Sequence, residues 1–146
     1  MSLPEGYMLS NDRGALQIDA IHAYLTQSYW SSGIPIAIVE RAIAGSLCVG
    51  VFHSGAQIAF ARLVTDMATF GWLADVYVLD GHRGRGIASA MVAHLQADPR
   101  LADLRRWMLR TRDAHPVYEA LGWRVAAAPE GLMERVRANP YGAAVL

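Results

Sequence analysis

Apolar residues change their spacing several times along this chain, and each change marks an element. "YMLSND", residues 7–12, is at most a short first strand. Ile18, Ile21 and Leu25 recur at helical spacing beside Asp19, which reads as the N-cap of a first helix over "DAIHAYLTQS". The segment "YWSSGIP" breaks that period, and Pro35 suits the first turn of a second helix carrying Ile36, Val39 and Ile43 on one side. From Ser46 the pattern becomes β-rich, with two runs around Ser54-Gly55, a pair suited to a hairpin turn. "ATFGWLADVYVL" predicts a third long strand, antiparallel through a turn near Met67-Ala68. Residues 86–97 return to helical spacing through Ile87, Met91 and Leu95. "LRRWMLRT" reads as a strand, "DAHPVYEALG" as a short helix capped by Asp113 and ended by Gly122, and "WRVAA" and "LMERVR" as two last strands. The order β-α-α-β-β-β-α-β-α-β-β predicts an α+β fold, a mixed α/β arrangement. Its mostly antiparallel sheet has about seven strands, is flanked by four helices and contains one strand-helix-strand crossover.

Composition narrows the function classes. With 146 residues, 53% of them hydrophobic, the chain can bury one core but not two, so residues 1–146 are read as one domain without repeat or linker. Thirteen Arg balance thirteen Asp plus Glu, so the long-range field that would attract nucleic acid or an anionic membrane is absent. Lys does not occur, which excludes a catalytic lysine. Cys48 has no cysteine partner for a disulfide and reads as a buried small hydrophobe. Neither a secretory leader nor an apolar run near the ~18 residues of a membrane span is visible, and the expected location is cytoplasmic. The histidines at 22, 53, 82, 94 and 115 lack ligand spacing, so no metal is expected, and no Gly-x-Ser-x-Gly elbow marks a serine hydrolase. Asp98, Asp103 and Asp113 interleave with Arg100, Arg105, Arg106, Arg110 and Arg112, which reads as a solvated mixed-charge face.

The chemistry concentrates in "GHRGRGIASA", residues 81–90, where a predicted strand hands over to a predicted helix. A helix N-terminus offers unpaired N–H groups and the positive end of its dipole to an anion. Glycines let the backbone approach, and Arg83 and Arg85 add charge with bidentate capacity. A pyrophosphate cradle and a plain tight turn with solvated arginines both fit these ten residues. A dinucleotide fingerprint, Gly84-x-Gly86-x-x-Ser89 with Asp103 beyond it, fails on context. That motif opens the first unit of a doubly wound parallel sheet, and antiparallel strands precede it here.

Arg83-Gly84-Arg85-Gly86-Ile87-Ala88 also matches the signature of the GNAT superfamily of N-acetyltransferases: Arg or Gln, two residues, Gly, one residue, then Gly or Ala. Thirty residues on, "HPVYEALGW" is similar to that family's Tyr-x-x-x-Gly-Phe, with Trp123 in place of Phe. The chain resembles the family over nearly its full length, and its small single-domain bacterial members in particular. The resemblance implies a GNAT-type sheet and acetyl-coenzyme A (acetyl-CoA) as co-substrate. Backbone N–H groups of residues 84–89 (Gly84, Arg85, Gly86, Ile87, Ala88, Ser89), next to Arg83, would hold its pyrophosphate. Val76, Tyr77 and Val78 would pair with the pantetheine arm as an added strand, in a gap where the fourth and fifth strands splay apart.

An amine would then attack the thioester carbon, and the thiolate would leave. Tyr118 matches the family's general acid, and a phenol of ordinary pKa ~10 is suited to protonating such a thiolate. A backbone N–H at or near Val78 would face the oxyanion. Many members carry an Asn seven residues before this Tyr as a pantetheine contact, and here Thr111 stands in that place. Asp75 is the first candidate for general base and Asp66 the second, with His115 a further base or cofactor candidate. Tyr29 and Trp30, in the break between the first two helices, are candidates to wall the acceptor pocket. Arg62, which interrupts an apolar alternation, is a candidate to hold a substrate carboxylate. Each of these also has a structural reading: a solvated turn carboxylate, packing at a helix end, an exposed strand position. The expected partner is a small-molecule or peptide amine, in a possible homodimer. A non-catalytic acetyl-CoA sensor on the same fold is the alternative.

Overall fold

The computed structural model describes residues 2–142. Its sheet contains β1 (Tyr7–Ser10), β2 (Leu47–His53), β3 (Ala56–Thr65), β4 (Phe70–Val78) and β5 (Arg106–Leu109), which lie side by side in chain order. The first three pairings are antiparallel and β4–β5 is parallel, closed by a crossover through helix α3 (Ile87–Gln96). Helices α1 (Ile18–Leu25) and α2 (Ile36–Ala44) cover one face, where Ile21, Leu25, Val39 and Ile43 pack on Phe60 and Tyr77. On the other face Ile87, Met91, Val92 and Leu95 of α3 pack on Val49, Val51, Ala61 and Leu63, next to helix α4 (His115–Glu119) with its Tyr118. β3 is buried from both sides, which explains its nearly unbroken apolar run.

The expected α+β class and the crossover are present, with five strands among the described residues rather than about seven. "WRVAA" and "LMERVR" form no strand: Val125 is 68% and Met133 97% exposed. Three consecutive alanines are weak strand formers, and Pro129, which lacks an N–H, opens a 3₁₀ turn between the two runs. Trp123 alone of the first run is anchored, its indole donating to Gln96 Oε1 at 2.7 Å.

Two helix caps also differ from expectation. The N-cap of α1 is Gln17, and Asp19 sits inside the first turn. Gln17 and Gln57 exchange backbone-to-side-chain hydrogen bonds of 2.8 and 3.0 Å, which ties the start of α1 to β3. At α4 the hydroxyl oxygen of Thr111, not Asp113, receives a backbone N–H, that of Ala114 at 3.0 Å. The turns follow expectation: Ser54 and Gly55 are both left-handed, at φ +52° and +80°, as a two-residue hairpin of right-handed twist requires.

Candidate functional site

β4 carries the centre of the site because its two halves have different neighbours. Phe70–Leu73 pair with Arg106–Leu109, where β5 ends, while β4 continues to Val78. Beyond Leu73 the β5-side edge of β4 has no strand partner among the described residues, and Val76, Tyr77 and Val78 lie on it. β4 also bulges here, because Ala61 alone faces the two residues Asp75 and Val76. The inserted residue reverses the alternation. Leu73, Val76 and Val78 all face the α3 side, and Tyr77 faces the α1–α2 side, stacked on Tyr24 with centroids 3.9 Å apart. Asp75 adopts φ +55° in this bulge, a conformation that L-residues avoid and that surrounding contacts must hold.

After Val78 a 3₁₀ turn, Asp80–His82, leads into Arg83–Gly86 and then α3. Gly84 and Gly86 are left-handed, at φ +76° and +75°, and a Cβ at either would meet no atom of the described residues within 4 Å. The glycines therefore serve backbone conformation, and the space in front of them is open. None of the N–H groups of residues 84–89 donates to a protein acceptor among the described residues. This is an open row of donors at the positive end of a ten-residue helix, and it fits a phosphate group.

The two arginines divide their roles. Arg83 turns back: it donates to Val78 O at 2.8 Å and to the Tyr24 hydroxyl at 3.3 Å, and it pairs with Asp80 at 2.6 Å. It fixes the exit of β4. Arg85 is exposed and has no side-chain partner among the described residues, so its charge is available to an anion. Ile87 is buried in the core and anchors the helix, with Ala88 and Ser89 half-buried in the same turn.

Tyr118 of α4 packs against the α3-side core cluster that contains Val78. Its ring meets Trp123 edge-on at 5.8 Å, and Gln96 of α3 holds this corner by accepting from Trp123 and donating to Leu121 O. The Tyr118 hydroxyl has no hydrogen-bond partner among the described residues. Burial pushes its pKa above the ordinary tyrosine value, with a smaller contribution from the Tyr29 phenol. Tyr29 is exposed in the loop between α1 and α2, with Trp30 edge-on at 5.1 Å. The Arg112 guanidinium lies 3.9 Å above the Tyr29 ring, so this loop meets the β5–α4 loop. Thr111 begins that second loop, its oxygen occupied by the Ala114 N–H. His115 is exposed, with no side-chain partner among the described residues.

Asp75 and Arg62 come together on the α1–α2 side. Asp75 Oδ2 accepts from Arg62 Nε at 2.8 Å and Oδ1 from Trp30 Nε1 at 2.9 Å, while Arg62 Nη1 donates to Ser46 Oγ at 3.1 Å. The side chains of Arg62 and Asp75 are 17% and 8% exposed. They line a cavity of about 90 Å³ whose other walls include Leu25, Ile34, Val39, Ile43 and Tyr141.

Asp66 is not brought to this group. It sits in the β3–β4 turn, at the far end of β4 from Val78, where its carboxylate accepts N–H groups of Ala68, Thr69 and Phe70 and the Thr69 hydroxyl. These bonds, the Thr69 hydroxyl foremost, hold it well below the usual carboxylate range. Tyr24, Ser46, Asp80 and Tyr141 were not singled out from the sequence, and Arg112 was read there only as part of a solvated mixed-charge face. Of these only Tyr24 carried a signal, since it lies beside Ile21 and Leu25 on the buried face of α1.

Comparisons with known proteins agree with this geometry. The family model described as "Acetyltransferase (GNAT) domain" matches residues 44–125. A Gibberella zeae protein named "Putative acetyltransferase FG08082" is 32% identical over 128 residues, 73% of this chain and 72% of that one. A crystal structure from Xanthomonas campestris pv. campestris, titled as a putative acetyltransferase belonging to the GNAT family, is 43% identical. It superposes with a TM-score of 0.91 over 97% of this chain and 100% of the other. The fold alone is shared with a Clostridium acetobutylicum predicted acetyltransferase solved with acetyl-CoA, which is 16% identical with a TM-score of 0.65 over 89% of this chain and 94% of that one. An open β4 edge leading into a glycine-lined helix N-terminus, on a chain that these relatives match, identifies it as a member of the GNAT acetyltransferase family.

Proposed function

We propose that this protein transfers an acetyl group from acetyl-CoA to the amine of an acceptor by direct attack. The observation that carries the reading is the continuity of the open β4 edge at Val76–Val78 with the left-handed Gly84–Gly86 turn and the unpaired N–H groups of residues 84–89. These donors fit a pyrophosphate, and the edge fits an extended amide-bearing arm. When bound, acetyl-CoA supplies an activated acyl carbon and a thiolate leaving group.

The chain's own residues would do the rest. Main-chain groups of Val76, Tyr77 and Val78 hold the arm and direct an N–H toward the thioester oxygen. Arg85 adds charge at the phosphates, Arg83 keeps the exit of β4 in register, and Thr111 presents its hydroxyl beside the gap. Tyr118 gives its proton to the departing sulfur, a role suited to a phenol that is neutral throughout the physiological range and has no hydrogen-bond partner among the described residues. Asp75 is the carboxylate on the bulge next to Val76 and receives the arriving ammonium, whose proton must leave before the nitrogen can attack. Tyr29 and Trp30 wall the acceptor side. The setting is cytoplasmic.

Thiol release from acetyl-CoA by wild type and Tyr118→Phe, with an amine panel, tests the reading. Amine-dependent release that falls in the variant while acetyl-CoA binding persists supports it. Binding without release by either protein would instead favour a non-catalytic acetyl-CoA sensor.

A further inference from the structure

From the Arg62–Asp75 pair and its apolar cavity we infer that the acceptor is a free α-amino acid with an aliphatic side chain, recognised through both of its charged groups. The inference rests on the acetyltransferase reading above and adds the substrate class. Asp75 of this pair sits on the left-handed bulge of β4, directly before Val76 of the open edge, and Arg62 faces it from β3.

The pair is incompletely satisfied. Arg62 uses Nε for Asp75 and Nη1 for Ser46, which leaves Nη2 without a protein partner among the described residues. Asp75 accepts one bond on each oxygen, while an ionised carboxylate has about four lone-pair sites. One donor nitrogen and spare acceptor capacity therefore remain next to each other. Most of the surrounding wall is hydrocarbon, from Leu25, Ile34, Val39 and Ile43, with Ser31 and Tyr141 beside them.

In such a setting the net charge of the ligand decides affinity. Arg62 and Asp75 together carry none, so a lone ammonium or a lone carboxylate would leave one uncompensated charge out of water, whereas a zwitterion adds none. Its carboxylate meets Arg62 and its ammonium meets Asp75. The cavity of about 90 Å³ exceeds the ~10–15 Å³ that one water needs several times over, room for a short branched side chain. In the transfer the amino nitrogen bonds to the acyl carbon as the C–S bond breaks. Before attack the ammonium passes one proton by way of Asp75 to water; after it the nitrogen loses its second proton through water, which restores the Tyr118 phenol that has given its own proton to the sulfur.

The test compares L-leucine, L-leucine methyl ester and 3-methylbutylamine, which keeps the side chain and amine of leucine but lacks the carboxylate. The assay is thiol release by wild type, with acetyl-CoA binding measured separately by calorimetry. The expected result is a kcat/KM for L-leucine at least tenfold above both analogues. Arg62→Lys, which keeps the charge but not the planar fork, should reduce that preference mainly through KM while acetyl-CoA binding is unchanged. Turnover of 3-methylbutylamine equal to that of L-leucine, or no turnover of L-leucine by a protein that binds acetyl-CoA and acetylates other amines, overturns the inference and leaves the acetyltransferase reading standing. Failure to bind acetyl-CoA, or no acetylation of any amine, removes that reading and this inference with it.

Discussion

Replacing Gly86 by Ala separates the two things that glycine does in the cradle. Gly86 sits at φ +75° with no atom of the described residues within 4 Å of an added Cβ, so without ligand the substitution costs backbone strain and no clash with them. An L-residue in this region costs ~1–2 kcal/mol, and lower freedom in the unfolded chain returns ~0.4–1 kcal/mol, for a net loss of about 1 kcal/mol. For a domain of this size that lowers Tm by about 3 °C. Gly55, at φ +80° in the β2–β3 hairpin and equally uncrowded, provides the control: Gly55→Ala should lose about the same.

Only Gly86→Ala places a methyl group where the phosphates would lie. Disturbing one or two charge-assisted hydrogen bonds, ~1.5–3 kcal/mol each, weakens binding by about tenfold to a hundredfold or more. Calorimetry with acetyl-CoA, beside thermal unfolding, reads both quantities. Equal acetyl-CoA affinity for wild type, Gly55→Ala and Gly86→Ala would refute the cradle.

Tyr118→Phe should lower kcat by about 10²–10⁴-fold at unchanged acetyl-CoA affinity, and the wild-type rate should fall on the alkaline side only above the ordinary tyrosine range, because burial raises this phenol; an unchanged kcat removes the general-acid role. Arg62→Ala strips the guanidinium from an Asp75 carboxylate that is 8% exposed and should cost about 3 kcal/mol, read by urea denaturation, whereas pairing it with Asp75→Leu should restore much of the loss. Burial pushes the Cys48 thiol from 9.0 to about 11. The folded state thus keeps a proton that the unfolded chain releases: this contribution to stability is complete below pH 9 and is lost as pH rises toward 11, and Cys48→Ala should flatten the decline where it begins.

Local signals carried much of this architecture. The spacing of Ile18, Ile21 and Leu25, the Ser54-Gly55 pair and the glycines before Ile87 each correspond to an element or turn that short-range sequence dictates. The last two expected strands failed because strand formation needs a partner, and apolar alternation alone cannot supply one. Val125 and Met133 remain exposed for that reason. The meeting of Arg62 with Asp75 was not legible, because strict alternation along β4 does not anticipate a bulge. One inserted residue decides which face each later side chain takes. Arg112 over Tyr29 is likewise a contact between two loops, set by the ends of β5 and α1 rather than by any pattern within either loop.

The most direct test of the central claim is acetyl-CoA turnover by purified wild-type protein. The protein is mixed with acetyl-CoA and a set of free amino acids and simple amines, and both the released thiol and the mass of each acceptor are followed. The account predicts thiol release that requires an acceptor, equal in amount to an acceptor product carrying one added acetyl group on nitrogen. Tight acetyl-CoA binding with neither thiol release nor acetylated product would contradict it.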